Sequence, residues 1–482
     1  MLSILIIFMP LVFSVILITL RKSKIAHKIA MALSVIELLP VIAAFVLFDK
    51  QQINNFIFDA EWITKLGVHL SFAIDGISLL LIGLTAILIP LIILSTFRQK
   101  YNRPGMFYGM ILFMQSALMG VFAATDGLLF YIFWEAALLP VYFIISLWGG
   151  ENRIRITLKF FIYTIFGSLF MLLALVYLYT KTPAPHTFNI SALYNLHLTT
   201  PEQVGIALAL FLAFAVKIPI FPFHTWQPDT YVVAPAAGSM LLSAIMLKMG
   251  IYGMLRLLLP ICPQAIQTYG MYGIILAVIG IIYASIIAIN QQEIKRLIAY
   301  SSLAHVGLIA AAVLAVNSAS LTGSVLQMFA HGVNVFGLFL VADIILVRTQ
   351  TTDIYKLGGI ATVAPKFAIF FMIVMLGSVG LPLTNGFVGE FLMLSGLFKF
   401  NAYVAGIAGL SVIFGAVYMF RLYQRTMYGE TKAESFEDLN RNELIMASVV
   451  GFIIIFLGIY PNFFTSYAEP AIKLILSKYV IS

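Results

Sequence analysis

Six ionisable residues stand inside long apolar runs. Glu135 lies in LLFYIFWEAALLPVYFII, Lys217 in LALFLAFAVKIPIF and Lys248 in LLSAIMLKMGIYG. His305 follows AYSSLA, His331 lies in LQMFAHGVNVFG, and Glu390 in NGFVGEFLML. If these runs cross a bilayer, each charge at a helix centre costs about 2.5–3.5 kcal/mol, so a mid-span charge is a functional expectation by default. Carboxylates, amines and imidazoles exchange protons through water, and burial disfavours the charged form of any of them. The set therefore predicts proton transfer. A contact between Glu135 and Lys217 would couple the charge on one to the proton on the other; a static buried pair that fixes packing is the competing reading. For the two histidines the competitor is an interhelical hydrogen bond. No His-x₃-His or carboxylate–histidine cluster shares a helix face, so a metal site is not supported; a bis-histidine haem stays open. Two further acids are weaker cases. Asp343 is expected to pair with Arg348 or reach the interface, and Glu37 to snorkel or meet a partner.

The elements that must hold these groups follow from composition. Of 482 residues, 62% are hydrophobic and 10% charged, against roughly 25% charged in soluble chains. So few charges could not cover water-exposed surfaces, which makes this an integral membrane protein. Apolar stretches long enough to cross occur about fourteen times, without period-2 alternation, which predicts an all-α polytopic membrane protein rather than a β-barrel. The opening MLSILIIFMPLVFSVILITL has no basic residue before its apolar run, so it reads as a retained first span rather than a signal peptide. A single cysteine, Cys262, excludes an all-cysteine iron–sulfur cluster and an intrachain disulfide. No GxGxxG or Walker loop is present. The chain is expected to work without a redox cofactor of its own.

The net charge of +8 is a matter of topology. Nineteen of the 28 basic residues fall in alternate loops, such as Arg21, Lys22, Lys24 and Lys28 after the first run or Arg421, Arg425, Lys432 and Arg441 after the thirteenth. Six lie on the other side, and Lys217, Lys248 and Arg256 fall within spans. Basic loops mark the cytoplasmic face. Both termini are then expected on the periplasmic side of a bacterial inner membrane, and no nucleic-acid partner is implied.

Two spans look broken. Residues 219–235 carry Pro219, Pro222, Pro228 and Pro235, and the stretch MLGSVGLPLTNGFVGEF carries Gly377, Gly380, Pro382, Gly386 and Gly389. Irregular backbone at membrane depth belongs where it is buried or lines a wet cavity, and paired breaks in two halves mark transporters. Lys217 and Glu390 flank the two breaks 173 residues apart, while Glu135 and His305 are 170 apart. Each pair is offset by five spans, an odd number, so the spacing predicts two inverted five-helix repeats. The expected organisation is residues 1–104 for spans 1–3, 105–258 for the first repeat, 259–428 for the second, and 429–482 for span 14 and the tail.

The motifs FWEAALLPVYFI, AVKIPIFPFHTWQPDTYVVAPAAGSMLLSAIMLKMGIYGMLR, QQEIKRLIAYSSLAHVGL and LQMFAHGVNVFGLFL closely resemble the antiporter-like subunits of respiratory complex I and the related Mrp-type cation/proton antiporters. The resemblance spans roughly residues 60–465. It implies fourteen helices, two inverted repeats and broken seventh and twelfth helices. It implies that Glu135 and Lys217 are the carboxylate–lysine pair of a first half-channel, with Lys248 central. His305 and His331 would continue the hydrated axis to Glu390, the terminal group of the second half-channel. It also implies proton translocation driven by quinone reduction elsewhere, beside L- and N-type antiporter-like partners, with FMN, iron–sulfur clusters and quinone in other subunits. The L- and N-type branches carry lysine at the second break, whereas Gly389–Glu390–Phe391 is similar to the M-type branch. An Mrp-type Na⁺/H⁺ antiporter or a membrane-bound hydrogenase subunit is the alternative. One departure is Asp229–Thr230–Tyr231, where the family usually reads D-A-H; Asp343 is another, at a position expected to be uncharged.

Overall fold

The architecture is given by a computed structural model that describes residues 1–432 and 436–480. In chain order, α1 (Leu2–Thr19) is followed by a second span in two pieces, α2 (Ala26–Ile36) and α3 (Leu38–Leu47). A hairpin of β1 (Asn55–Ile63) and β2 (Val68–Ile74) leads to α4 (Gly76–Ser95) and α5 (Pro104–Ala123). The fifth span is α6 (Gly127–Ala136) plus α7 (Leu138–Trp148), and the sixth is α8 (Arg153–Lys181). A short α9 (Ile190–Leu193) precedes α10 (Thr200–Lys217) and α11 (Gln227–Val233). The eighth span contains α12 (Ala236–Leu241), α13 (Lys248–Gly253) and α14 (Leu259–Ile261), joined by wide π-helical turns at Leu242–Met246 and Met254–Leu258. Then come α15 (Pro263–Asn290), α16 (Ile294–Leu314), α17 (Ser318–Thr349), α18 (Ile360–Val363), α19 (Pro365–Val379) and α20 (Asn385–Phe400). The chain closes with α21 (Ala402–Met427), α22 (Arg441–Ile459) and α23 (Asn462–Val480).

Thirteen helices among the described residues are long and apolar enough to cross a membrane. The twelfth span is not among them because it is broken: α19 has 15 residues and α20 has 16. At 1.5 Å per residue each covers about 22–24 Å, short of the roughly 30 Å hydrocarbon core. With it the spans number fourteen, as the sequence predicts. The hairpin was not expected. Residues 72–74 finish β2, and Asp75 caps α4 by accepting from the Ser78 amide at 2.8 Å.

The chain forms two units. The first comprises residues 1–218, 245–272 and 466–482; the second comprises 219–244 and 273–465. In the first, α1 and α5 approach closely enough for the Ser116 hydroxyl to donate to the Ile7 carbonyl at 2.6 Å. The distant α23 closes this unit. Lys50 donates to Ser466 at 2.8 Å, Lys478 reaches the Tyr194 carbonyl and Asn195 at 3.2 Å, and a side chain on Gly76 would run into the Tyr467 carbonyl. Arg256, the third basic residue inside a span, pairs with fully buried Asp75 at 2.8 Å. In the second unit the 32-residue α17 is the longest helix. Near its end Arg348 pairs with Glu443 at 2.7 Å and donates to the Asp438 carbonyl. The expected Asp343–Arg348 pair is therefore replaced by one to α22.

Candidate functional site

In the first unit, Glu135 ends α6 at a break in the fifth span. Pro140 has no N–H to give the Ala136 carbonyl, and its ring crowds that carbonyl, so the helix restarts at Leu138. The start of the same span is fixed by Asp126, whose carboxylate accepts from the Leu128 and Leu129 amides at 2.9 and 3.1 Å. Burial holds the Asp126 carboxyl above its ordinary range despite these donors. Glu135 is half-buried, with Ser168 of α8 beside it and Oε1 lacking a hydrogen bond.

Lys217 is the last residue of α10, just before the proline-rich break, and only 2% exposed. Its Nζ makes no hydrogen bond. It faces the Trp134 ring, 5.2 Å from the centroid, and feels the Glu135 charge. Trp134 in turn packs on Phe214, one turn before Lys217, with centroids 5.7 Å apart. Close backbone packing places the lysine: a side chain on Gly167 of α8 would press on Val216, and one on Gly250 of α13 on Ile218. The expected pair thus acts through charge, without a hydrogen bond, and a tryptophan face lies beside the ammonium. Lys248 opens α13 between the two π-helical turns and is also 2% exposed. Such turns leave carbonyls out of the regular ladder and recur at functional sites.

In the second unit the break after α19 brings three expected residues together. Gly380 ends α19 in the left-handed conformation (φ +74°), and α20 restarts at Asn385, turning Glu390 inward to 5% exposure. The Glu390 carboxylate meets His305 Nδ1 at 3.1 Å and accepts a long bond from the Gln327 amide at 3.4 Å. His305 and His331 have ring centroids 5.9 Å apart. Ser301, Ser302, His305, Gln327, His331 and Asn334 line a cavity of about 10 Å³, close to the room one water needs. Ser302 Oγ, His305 Nε2 and Asn334 Oδ1 are buried there without protein hydrogen-bond partners. The arrangement suits a proton held on the His305–Glu390 pair and exchanged through a confined water.

Several residues here were passed over in the sequence. Gln327 and Asn334 flank the expected His331 at four residues before and three after, so the polar stripe on α17 was there to be read. Ser302 stands three residues before His305 in the same way. Trp134 and Ser168 carried no such signal, because each meets its partner across helices. His224 lies among the four prolines; it is buried between the Phe221 and Tyr283 rings at 5.7 and 5.0 Å. Glu37 does not snorkel: it is 1% exposed, and neither carboxylate oxygen has a hydrogen-bond partner.

Comparison with known proteins identifies the family. Residues 124–416 match the family described as NADH:quinone oxidoreductase/Mrp antiporter, TM. NADH-quinone oxidoreductase subunit M of Rickettsia conorii is 41% identical over 98% of both chains. The F(420)H(2) dehydrogenase subunit M of Methanosarcina mazei is 37% identical over 95% of this chain and 94% of its own. Among solved structures, a chain of respiratory complex I from Thermus thermophilus superposes with a TM-score of 0.91 at 29% identity, covering 100% of this chain and 99% of its own. With the matched region containing both helix breaks and all six buried ionisable residues, the chain belongs to the NADH:quinone oxidoreductase/Mrp antiporter transmembrane family.

Proposed function

We propose that this chain is the M-type membrane-arm subunit of NADH–quinone oxidoreductase and that it translocates protons. The observation that carries the chemistry is the His305–Glu390 pair at the broken twelfth span, opening on a cavity the size of one water. Glu135, Lys217 and Lys248 hold and pass protons in the first unit; His305, His331 and Glu390 do so in the second. NADH oxidation and quinone reduction take place in other subunits, which hold the FMN, iron–sulfur clusters and quinone. L- and N-type antiporter-like subunits are its membrane neighbours. The chain sits in a bacterial inner membrane with both termini periplasmic.

The energetics are of the right order. Moving one charge against 100 mV costs about 2.3 kcal/mol, and one unit of pKa is worth 1.36 kcal/mol. A change of one or two units at a buried amine, produced by moving or neutralising a nearby carboxylate, therefore spans the cost. Lys217 meets the structural requirement, because its ammonium has no hydrogen bond and depends on the Glu135 charge and the Trp134 face. Replacing Lys217→Met or Glu135→Gln in the assembled enzyme, in proteoliposomes, is expected to leave uncoupled quinone reduction largely intact and sharply reduce proton pumping. Normal pumping at normal quinone reduction would overturn the reading.

The likeness to the Methanosarcina mazei F(420)H(2) dehydrogenase subunit favours a second reading, in which the same membrane part serves another electron donor. Purification of the native complex separates the two. Co-isolation with flavin and iron–sulfur subunits that oxidise NADH supports the first, and oxidation of a different donor the second.

A further inference from the structure

Four of the buried charges not used above are in close ion pairs, Asp75–Arg256 and Arg348–Glu443, at 2.8 and 2.7 Å. Asp343 and Lys295 differ from these. Both belong to the second unit, are 6% and 7% exposed, and act on each other electrostatically. Lys295 Nζ makes one long hydrogen bond, 3.4 Å, to the Ala234 carbonyl. We propose that Asp343 and Lys295 form the proton-intake relay of the second unit, on the face that carries the basic loops. This rests on the proton-translocating function proposed above.

The surroundings grade from wet to dry. Next to Lys295, Arg296 pairs with Asp229 of α11 at 3.1 Å, and both are about one-third exposed. Glu293 caps α16 at the same end and adds a second negative charge near Lys295. Tyr231 is fully buried and packs edge-on against Phe339, one turn before Asp343 on α17, with centroids 5.8 Å apart. The Tyr231 hydroxyl lies beside the buried Gln227 amide without a well-formed hydrogen bond. A phenol does not titrate near neutral pH, so the acid–base work at this mouth falls to the carboxylate and the amine.

The pitch of α16 sets the path inward. Seven residues separate Lys295 from Ser302, about 10.5 Å of rise and within 20° of two full turns, so the two share a helix face. Ser302 lines the cavity with His305, and its hydroxyl is unpartnered. A few waters spaced at hydrogen-bond distance span that length. Asp343 takes a proton from the basic-loop face and gives it to the Lys295 amine. The ammonium releases the proton to those waters, which deliver it to the His305–Glu390 pair. Asp343 returns to carboxylate and Lys295 to amine, ready for the next proton.

The test is made on the whole enzyme in proteoliposomes, reading protons taken up per NADH oxidised and, separately, uncoupled quinone reduction. Asp343→Asn should keep uncoupled turnover and lose proton uptake to the same extent as Lys217→Met, while Asp343→Glu should restore it. Wild-type uptake by Asp343→Asn overturns the proposal. So does equal failure of Asn and Glu with parallel loss of turnover, which marks a packing role. If Asp343→Asn does not assemble, Lys295→Gln decides: lost uptake with retained turnover supports the relay, and normal uptake removes it. Lys217→Met separates the two levels. Defective Lys217→Met with normal Asp343→Asn sinks only the relay, whereas normal pumping by both sinks the function itself.

Discussion

The His305–Glu390 contact exists because a residue ten positions earlier has no side chain. Gly380 takes a positive φ, and a Cβ there would sit 2.6 Å from Glu390 Oε2. A side chain at this position meets two penalties at once. The left-handed conformation costs a non-glycine residue about 1–2 kcal/mol, and the methyl group displaces the carboxylate from the imidazole. Gly380→Ala is expected to destabilise the protein by at least about 1–2 kcal/mol, read as a lower melting temperature of the purified enzyme. It should also reduce pumping more than quinone reduction. At this scale the sequence was informative about identity and poor about contact. The six candidate proton-transfer residues could be named from their apolar context. Which of them touch could not: His305 and Glu390 meet, whereas Glu135 and Lys217 interact only through charge. Contact depends on a rotamer and a helix rotation that no linear spacing encodes.

At the scale of elements, breaks were more legible than helix pairings. Proline and glycine remove donors or allow left-handed backbone, so the broken seventh and twelfth spans followed from composition alone. The split of the fifth span at Ala137 follows from Pro140 in the same way. The hairpin at residues 55–74 was missed because the apolar end of β2 continues directly into α4, leaving no composition shift at the boundary. Asp343 was expected to meet Arg348 on the same helix or to reach the interface; of these, the first gives way to Glu443 on α22, which Arg348 meets with side chains 6% and 10% exposed. Removing one partner of a buried pair leaves the other charge without compensation, at about 3–5 kcal/mol. Arg348→Ala should therefore lower the amount of assembled enzyme strongly. Arg348→Met with Glu443→Gln should recover most of it, and a double-mutant cycle on thermal stability measures the coupling. Additive losses would show that the pair does not hold α17 to α22.

For the whole molecule, charge bias predicts sidedness. Lys65 is exposed on the hairpin turn, and Lys356 is exposed in the loop after α17. Cys262 is fully buried, so a Cys262→Ser background leaves no competing thiol. In that background an impermeant maleimide should label Lys65→Cys on intact spheroplasts and Lys356→Cys only after permeabilisation. The opposite pattern would invert the proposed topology.

The return of α23 to the first unit has a consequence for how the chain is made. Lys50 and Ser466 bond across 416 residues of sequence. Translation runs at about 5–20 residues per second, so the N-terminal spans wait roughly 20–80 s in the bilayer before their last partner is synthesised. During that interval the backbone beside Gly76 is uncovered, and the first unit is open to chaperones and membrane proteases. Its completion therefore waits for the synthesis of α23, and a ribosome stalled after span fourteen would leave fourteen inserted helices around an unfinished unit.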